Sequence, residues 1–187
     1  QIECYERLKK LIGNFIIGED DATLATAVIG LLKERNQLLT TAESCTGGLI
    51  AASITENAGA SDAFEAGFVT YSNSIKHTVI DVDTRSLEEH GAVSEIVARQ
   101  MVMGAIDRSK SDYAIAVTGI AGPGGGSPEK PVGTVWIGWG TSASVKTHRL
   151  QIPGKRKVFQ QMVSAIALDL IRRELLSIDE EPRYLKR

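Results

Sequence analysis

The sequence predicts an α/β protein: a three-layer α/β/α sandwich on a mixed, mostly parallel sheet of about five strands. Three observations carry this expectation. Short runs of β-forming residues alternate with longer segments of helical periodicity. The run Tyr113–Thr118 (Y-A-I-A-V-T) is apolar almost throughout, as a strand covered on both faces must be. Two further strand-like runs flank Gly140-Thr141-Ser142, so the sheet closes in a hairpin.

Each element has its own justification. In Ile2–Phe15 the apolar residues Leu8, Leu11, Ile12 and Phe15 recur at helical intervals. Gly18-Glu19-Asp20-Asp21 interrupts that helix, and either aspartate suits the cap of the next. Ala22–Arg35 carries Leu24, Ala27, Val28, Leu31 and Leu32 on one core-facing stripe. Gln37–Ala42 reads as the first strand, Leu49–Ile54 as a helix and Phe68–Tyr71 as the second strand, ending in the turn Ser72–Ile75. Ser94 is placed to cap Glu95–Lys110, whose Ala98, Met101, Val102, Ala105 and Ile106 are periodic. After Tyr113–Thr118 comes a long glycine-rich loop, Gly119–Pro131, then strands Val132–Trp139 and Ser144–Ile152. A final helix, Lys155–Leu176, is expected to bury Phe159, Met162, Val163, Ile166 and Leu170. The domain reading is a helical extension (1–18), one main domain (19–178) and a charged tail (179–187) expected to fray.

Composition narrows the function. A chain of 187 residues can bury one sizeable core without staples. Lys and Arg (21) nearly balance Asp and Glu (23), so a broad nucleic-acid-binding face is not expected; Lys155-Arg156-Lys157 is a local basic patch. Two cysteines make neither a disulfide framework nor a metal spacing, which suits a reducing cytoplasm. No apolar run reaches the length of a membrane span, so no membrane partner is expected. The first residue is Gln1 rather than Met, which leaves room for an upstream domain.

The candidate chemistry sits where strands end. Thr41–Gly48 (T-A-E-S-C-T-G-G) passes from the first strand into a helix start, where unpaired N–H groups attract negative charge. Ser44 there is either a helix cap or a nucleophile. Gly47 and Gly48 let a substrate approach the backbone, and the amides around Cys45, Thr46, Gly47 and Gly48 are candidate oxyanion donors. A nucleophilic serine needs a base. His77, His90 and His148 belong to no triad signature and read as surface or structural residues. Lys76, just beyond the second strand with Tyr71, can act as base if burial lowers its pKa, or can simply be a solvated lysine. Cys45 reads as packing, although a thiol near a helix start can be reactive. Thr118, Gly119 and Gly122 open a loop beyond a buried strand, either a substrate cradle or a surface loop. Arg156, at the start of the last helix, either meets a phosphate or is a solvated basic residue.

Four motifs together resemble one family. They are T-A-E-S-C-T-G-G, G-F-V-T-Y-S-N-x-x-K (Gly67–Lys76), H-G-A-V-S (His90–Ser94) and T-G-I-A-G-P-G-G-G-x-P-E-K-P-V-G-T-V (Thr118–Val135). Over Ala22–Leu176 the chain resembles the C-terminal domain of the CinA competence/damage-inducible family, whose stand-alone form is nicotinamide-nucleotide amidase (PncC). The resemblance implies hydrolysis of the carboxamide of nicotinamide mononucleotide to nicotinate mononucleotide and ammonia. Carried over, Ser44 is the nucleophile, Lys76 its base and Tyr71 a neighbour that tunes or relays the proton. Thr118 and the following loop hold the substrate, and Arg156 matches the arginine of a G-D-R motif. Neither metal nor cofactor is implied. A small-molecule nucleotide and other copies of the chain are the expected partners. The first residues, Tyr5–Leu24, are more like full-length CinA proteins, which implies an upstream molybdopterin-binding-like domain associated with pyrophosphatase activity on ADP-ribose. Two positions depart from the family pattern: Lys155 stands for its aspartate and Gln160 for an arginine. A non-catalytic pyridine-nucleotide-binding module and a competence-related interaction module are the alternatives.

Overall fold

Helix and strand alternate from the first strand to the third, and the sheet is then completed by a hairpin. The computed structural model describes residues 2–186, apart from the side chains of Ile2, Glu3, Tyr5, Lys9 and Lys10. The helices are α1 (Ile2–Ile12), α2 (Leu24–Arg35), α3 (Leu49–Thr55), α4 (Asn73–Ile80), α5 (Thr84–His90), α6 (Glu95–Ser109) and α7 (Arg156–Leu175). The strands are β1 (Leu39–Glu43), β2 (Phe64–Val69), β3 (Tyr113–Gly119), β4 (Thr134–Gly140) and β5 (Val145–Gln151). They form one mixed sheet in the order β2-β1-β3-β4-β5. β1 runs parallel to both β2 and β3, while β4 is antiparallel to β3 and β5.

The pleat of β3 explains the two helical layers. Ile115 and Val117 join the core formed with α2, α3 and α7, whereas Ala114 and Ala116 face α4 and α6. Phe159, Val163 and Ile171 of α7 and Met101, Val102 and Ala105 of α6 close the two cores, each larger side chain contributing about 1.5–3 kcal/mol by burial. Because β1, β2 and β3 are parallel, their carboxyl ends open along one edge, which brings Ser44, Thr70-Tyr71 and Thr118-Gly119 together.

Several expectations are corrected. Neither Asp20 nor Asp21 caps α2; Thr23 does, in a reciprocal box with Thr26. The segment taken as a turn, Ser72–Ile75, begins α4, because the Ser72 hydroxyl accepts from the Ile75 amide at 3.2 Å. β2 starts earlier than expected and includes Gly67. Ser94 precedes α6 as expected, but its hydroxyl donates to the Gly91 carbonyl rather than capping the helix. Met162 is exposed, not part of the buried stripe of α7. Leu8, Leu11, Ile12 and Phe15 are also exposed, so the periodicity of α1 does not mark a face buried within this domain. The tail does not fray between Glu180 and Leu185: it turns through a short 3₁₀ segment, Arg183–Leu185, and docks on α7 and β5. Gln1 and Arg187, the outer ends of the expected extension and tail, lie outside the described residues.

Candidate active site

Ser44 is the first residue beyond β1, and its amide donates to the Val117 carbonyl of β3 at 3.0 Å. Its hydroxyl meets Lys76, which rises from the first turn of α4. Lys76 Nζ lies 3.1 Å from Ser44 Oγ, 2.8 Å from the Thr70 carbonyl and 3.5 Å from the Tyr71 carbonyl. The lysine is only 1% exposed, unlike the solvated lysine that was its alternative reading. Burial lowers its pKa to about 8, opposed weakly by the neighbouring Cys45. About a tenth of the molecules then hold a neutral amine at neutral pH. A neutral amine has two N–H donors and one lone pair; two carbonyls take the donors, and the lone pair is left for the Ser44 proton. The pair can therefore draw a proton from Ser44 and return it.

Cys45 is buried, and burial pushes its thiol up to about 12, with the Glu43 carboxylate adding to the rise. It stays protonated and packs in the core, as expected of it. His77 meets the Val82 carbonyl and His148 the Leu185 carbonyl, and neither is bonded to Ser44.

Glu43, in the same motif, has the largest local role in the turn. Its two oxygens accept from the amides of Gly48, Ile50 and Ala51 and from the hydroxyls of Thr46 and Thr41. This corrects the expectation that the amides of the α3 start are free to attract an anion, since the protein's own carboxylate takes them. Of the expected oxyanion donors, Gly47 N–H is bound to the Ser44 carbonyl and Gly48 N–H to Glu43. Among the described residues, the amides of Cys45 and Thr46 have no acceptor from another residue. Gly48 has φ 96° and Gly47 φ 67°, so the turn needs glycine at both positions. A signal for Glu43 was hard to find in sequence, because it sits five residues before Gly48 and matches no capping pattern.

The Ser44–Lys76 pair opens into a cavity of about 210 Å³ lined also by Tyr71, Asn73, Ala92, Val93, Thr118, Gly119, Ala121 and Arg156. Thr118 is held by a 2.8 Å bond from its hydroxyl to the Ala92 carbonyl, which ties the Gly91–Ser94 segment to the end of β3. Arg156 donates to the Tyr71 phenol at 2.9 Å and to the Gly122 carbonyl at 3.1 Å. The Tyr71 phenol is thus directed to Arg156, and the approach of Tyr71 to Lys76 is through its carbonyl. Beyond Arg156 lies a wider hollow of about 650 Å³, lined by Thr46, Gly47, Gly48, Lys157 and Gln160 among others. Gly124, Gly125 and Gly126 are exposed and do not line the cavity, so only the start of the glycine-rich loop reaches it. A hollow of similar size against α4 and α6, at Ile80, Met103 and Lys110, lies apart from the serine–lysine pair. Among the described residues no three His, Cys, Asp or Glu side chains gather into a group that could hold a metal, and no helix is long and apolar enough to cross a membrane.

A three-layer α/β domain with a buried serine–lysine pair at the carboxyl ends of its parallel strands is the class these observations define. Residues 21–175 match the CinA C-terminal domain, and the chain belongs to that family. It is 46% identical over 184 residues to a CinA-like protein of Colwellia psychrerythraea, spanning 97% of this chain and 43% of the relative. A CinA-like protein of Geobacter sulfurreducens is 45% identical over 170 residues, spanning 91% and 41%. The chain thus covers about two fifths of the length of these curated relatives. Among solved structures, the competence/damage inducible protein CihA of Agrobacterium tumefaciens matches with TM-score 0.79 and 42% identity, over 82% of this chain and 93% of that one. A CinA superfamily protein of Klebsiella pneumoniae matches with TM-score 0.79 and 35% identity, over 82% and 96%.

Proposed function

We propose that this domain hydrolyses the carboxamide of nicotinamide mononucleotide, giving nicotinate mononucleotide and ammonia. The observation that carries the reading is the 3.1 Å contact between Lys76 Nζ and Ser44 Oγ at the wall of a cavity. Ser44 Oγ attacks the carboxamide carbon while Lys76 takes its proton. The amides of Cys45 and Thr46 receive the oxyanion of the tetrahedral adduct. As the adduct collapses the C–N bond breaks, and Lys76 returns its proton to the leaving nitrogen as ammonia departs. Water, deprotonated by Lys76, then attacks the Ser44 ester; as the bond to Oγ breaks, Lys76 returns the proton to Ser44 and the carboxylate is freed.

The remaining residues hold the nucleotide. Arg156 uses two of its five N–H donors within the protein, and the others can take the phosphate. Tyr71 links the two ends, with its carbonyl toward Lys76 and its phenol on Arg156. Thr118 and Gly119 wall the ring, Gly122 lies outside the cavity lining and acts instead through its carbonyl on Arg156, and Gly47 and Gly48 leave room on the ribose-phosphate side.

Ammonia release from nicotinamide mononucleotide tests this. Wild type should turn over with a rate that rises through about pH 8 as Lys76 loses its proton. Ser44→Ala should lower the rate at least about a thousandfold. Equal, slow ammonia release by both proteins sinks the proposal. Saturable nucleotide binding without ammonia would favour a binding module instead, a reading motivated by Lys155 and Gln160.

A further inference from the structure

The turn that carries Ser44 is fixed at both ends and by the Gly47 amide on the Ser44 carbonyl, but its Cys45–Thr46 peptide is held by one side chain only. The Ser44 amide is bound to Val117, and Glu43 holds Thr46 and Gly48. Between them, the Cys45 carbonyl accepts a 2.9 Å bond from Gln160 Nε2, its one partner among the described residues. Gln160 is half-buried on α7, one turn beyond Arg156. We propose that Gln160 is a positioning residue for the amide hydrolysis: by holding the Cys45 carbonyl it holds the Cys45–Thr46 peptide plane, whose Thr46 amide faces the developing oxyanion. This rests on the amidase reading above.

The physical argument is about rotation. The Cys45–Thr46 peptide carries the carbonyl that Gln160 binds at one end and the unpaired Thr46 N–H at the other. Both are rigidly coplanar, so fixing one fixes the other. A peptide with two free ends, next to glycines at positive φ, can turn and take its donor away from the reacting carbon. An oxyanion donor acts only when it is oriented before the charge develops. Gln160 would therefore act on the transition state, with little effect on nucleotide binding.

The test compares wild type with Gln160→Leu and with the isosteric Gln160→Glu, which removes the donor without changing the size. Kinetics on nicotinamide mononucleotide should show kcat reduced about tenfold or more in both variants, with KM changed less than about threefold. Melting curves close to wild type accompany this result. A raised KM with unchanged kcat would overturn the proposal and make Gln160 a substrate contact. A second readout does not depend on the substrate: the rate at which a fluorophosphonate probe labels Ser44, followed by mass spectrometry. Labelling should slow by a similar factor in both variants. Equal labelling rates overturn the positioning role. Slowed labelling together with no ammonia release from wild type keeps that role while rejecting the nucleotide amidase reading.

Discussion

Lys76 has two opposed effects, and pH separates them. Its amine is useful as a base because burial lowers the pKa from 10.5 to about 8, and the same burial disfavours the folded state while the amine is charged. The sign follows from proton counts. Below about pH 8 both folded and unfolded chains hold the proton, and the full cost of burying the ammonium is present. Between about 8 and 10.5 the unfolded chain holds the proton and the folded chain does not, so stability rises with pH. Cys45, raised from 9.0 to about 12, acts in the opposite sense above pH 9, so the useful quantity is the difference between wild type and Lys76→Met. Denaturant unfolding at several pH values should show wild type gaining on the variant as pH rises from about 8 to 10, by up to about 1.4 kcal/mol per unit. A difference independent of pH would show that Lys76 titrates normally in the folded protein.

At the scale of elements, the β1–α3 turn is where sequence and structure part most instructively. Ser44, Lys76, Thr118 and Arg156 were legible because strand ends and glycine-rich motifs mark the rim of an α/β sheet, and the structure brings all four to one cavity. Tyr71 was placed correctly in space, but its phenol direction depends on Arg156, 85 residues further on. The helices α4 and α5 were missed because each is short: Asn73–Ile80 is eight residues long and opens on Ser72-Asn73-Ser74, residues that also mark turns, and Thr84–His90 has a single large apolar residue. The partners of Glu43 come from β1 itself (Thr41), the turn (Thr46 and Gly48) and the start of α3 (Ile50 and Ala51). Its role was not legible because no capping pattern encodes that placement of the turn over the carboxylate. That placement makes a prediction. In Glu43→Gln one carboxylate oxygen becomes an NH₂ group that faces N–H and O–H donors, so at least one buried amide loses its acceptor. The cost should be about 2 kcal/mol or more in denaturant unfolding, with Ser44 labelling slowed as well. If Glu43→Gln unfolds within about 0.5 kcal/mol of wild type, the carboxylate is not what holds the turn.

At the scale of the molecule, helix α7 joins the site to both ends of the chain. Its first turns carry Arg156 and Gln160, and its last turns carry Asp169, Arg172 and Arg173. Arg172 and Arg173 are almost fully buried and share the Asp169 carboxylate, at 2.7 and 3.0 Å. Arg172 also donates to the Asn14 carbonyl at 2.8 Å and Arg173 to the Glu180 carbonyl at 2.9 Å, while Asn14 Nδ2 reaches the Glu180 carboxylate at 3.0 Å. Tyr184 donates its phenol to Asp169, and burial together with that bond raises its pKa. One carboxylate thereby pairs with two buried guanidinium groups, offsetting one of their two charges, and these pin the segment around Asn14 and the segment around Glu180 to the same helix. The charged composition of residues 179–187 suggested a frayed tail, because composition does not reveal that Tyr184 and the Glu180 backbone have buried partners on α7. Removing the charge alone should therefore do more than break one bond. Asp169→Asn leaves Arg172 and Arg173 buried without their counterion, a class of change that costs about 3–5 kcal/mol. Thermal melting should fall accordingly, and limited proteolysis should open both the residues before Ala22 and those after Ile178 while α7 remains folded. Loss of stability with cleavage confined to one end would mean that the two segments are held independently, and the carboxylate would not be their common anchor.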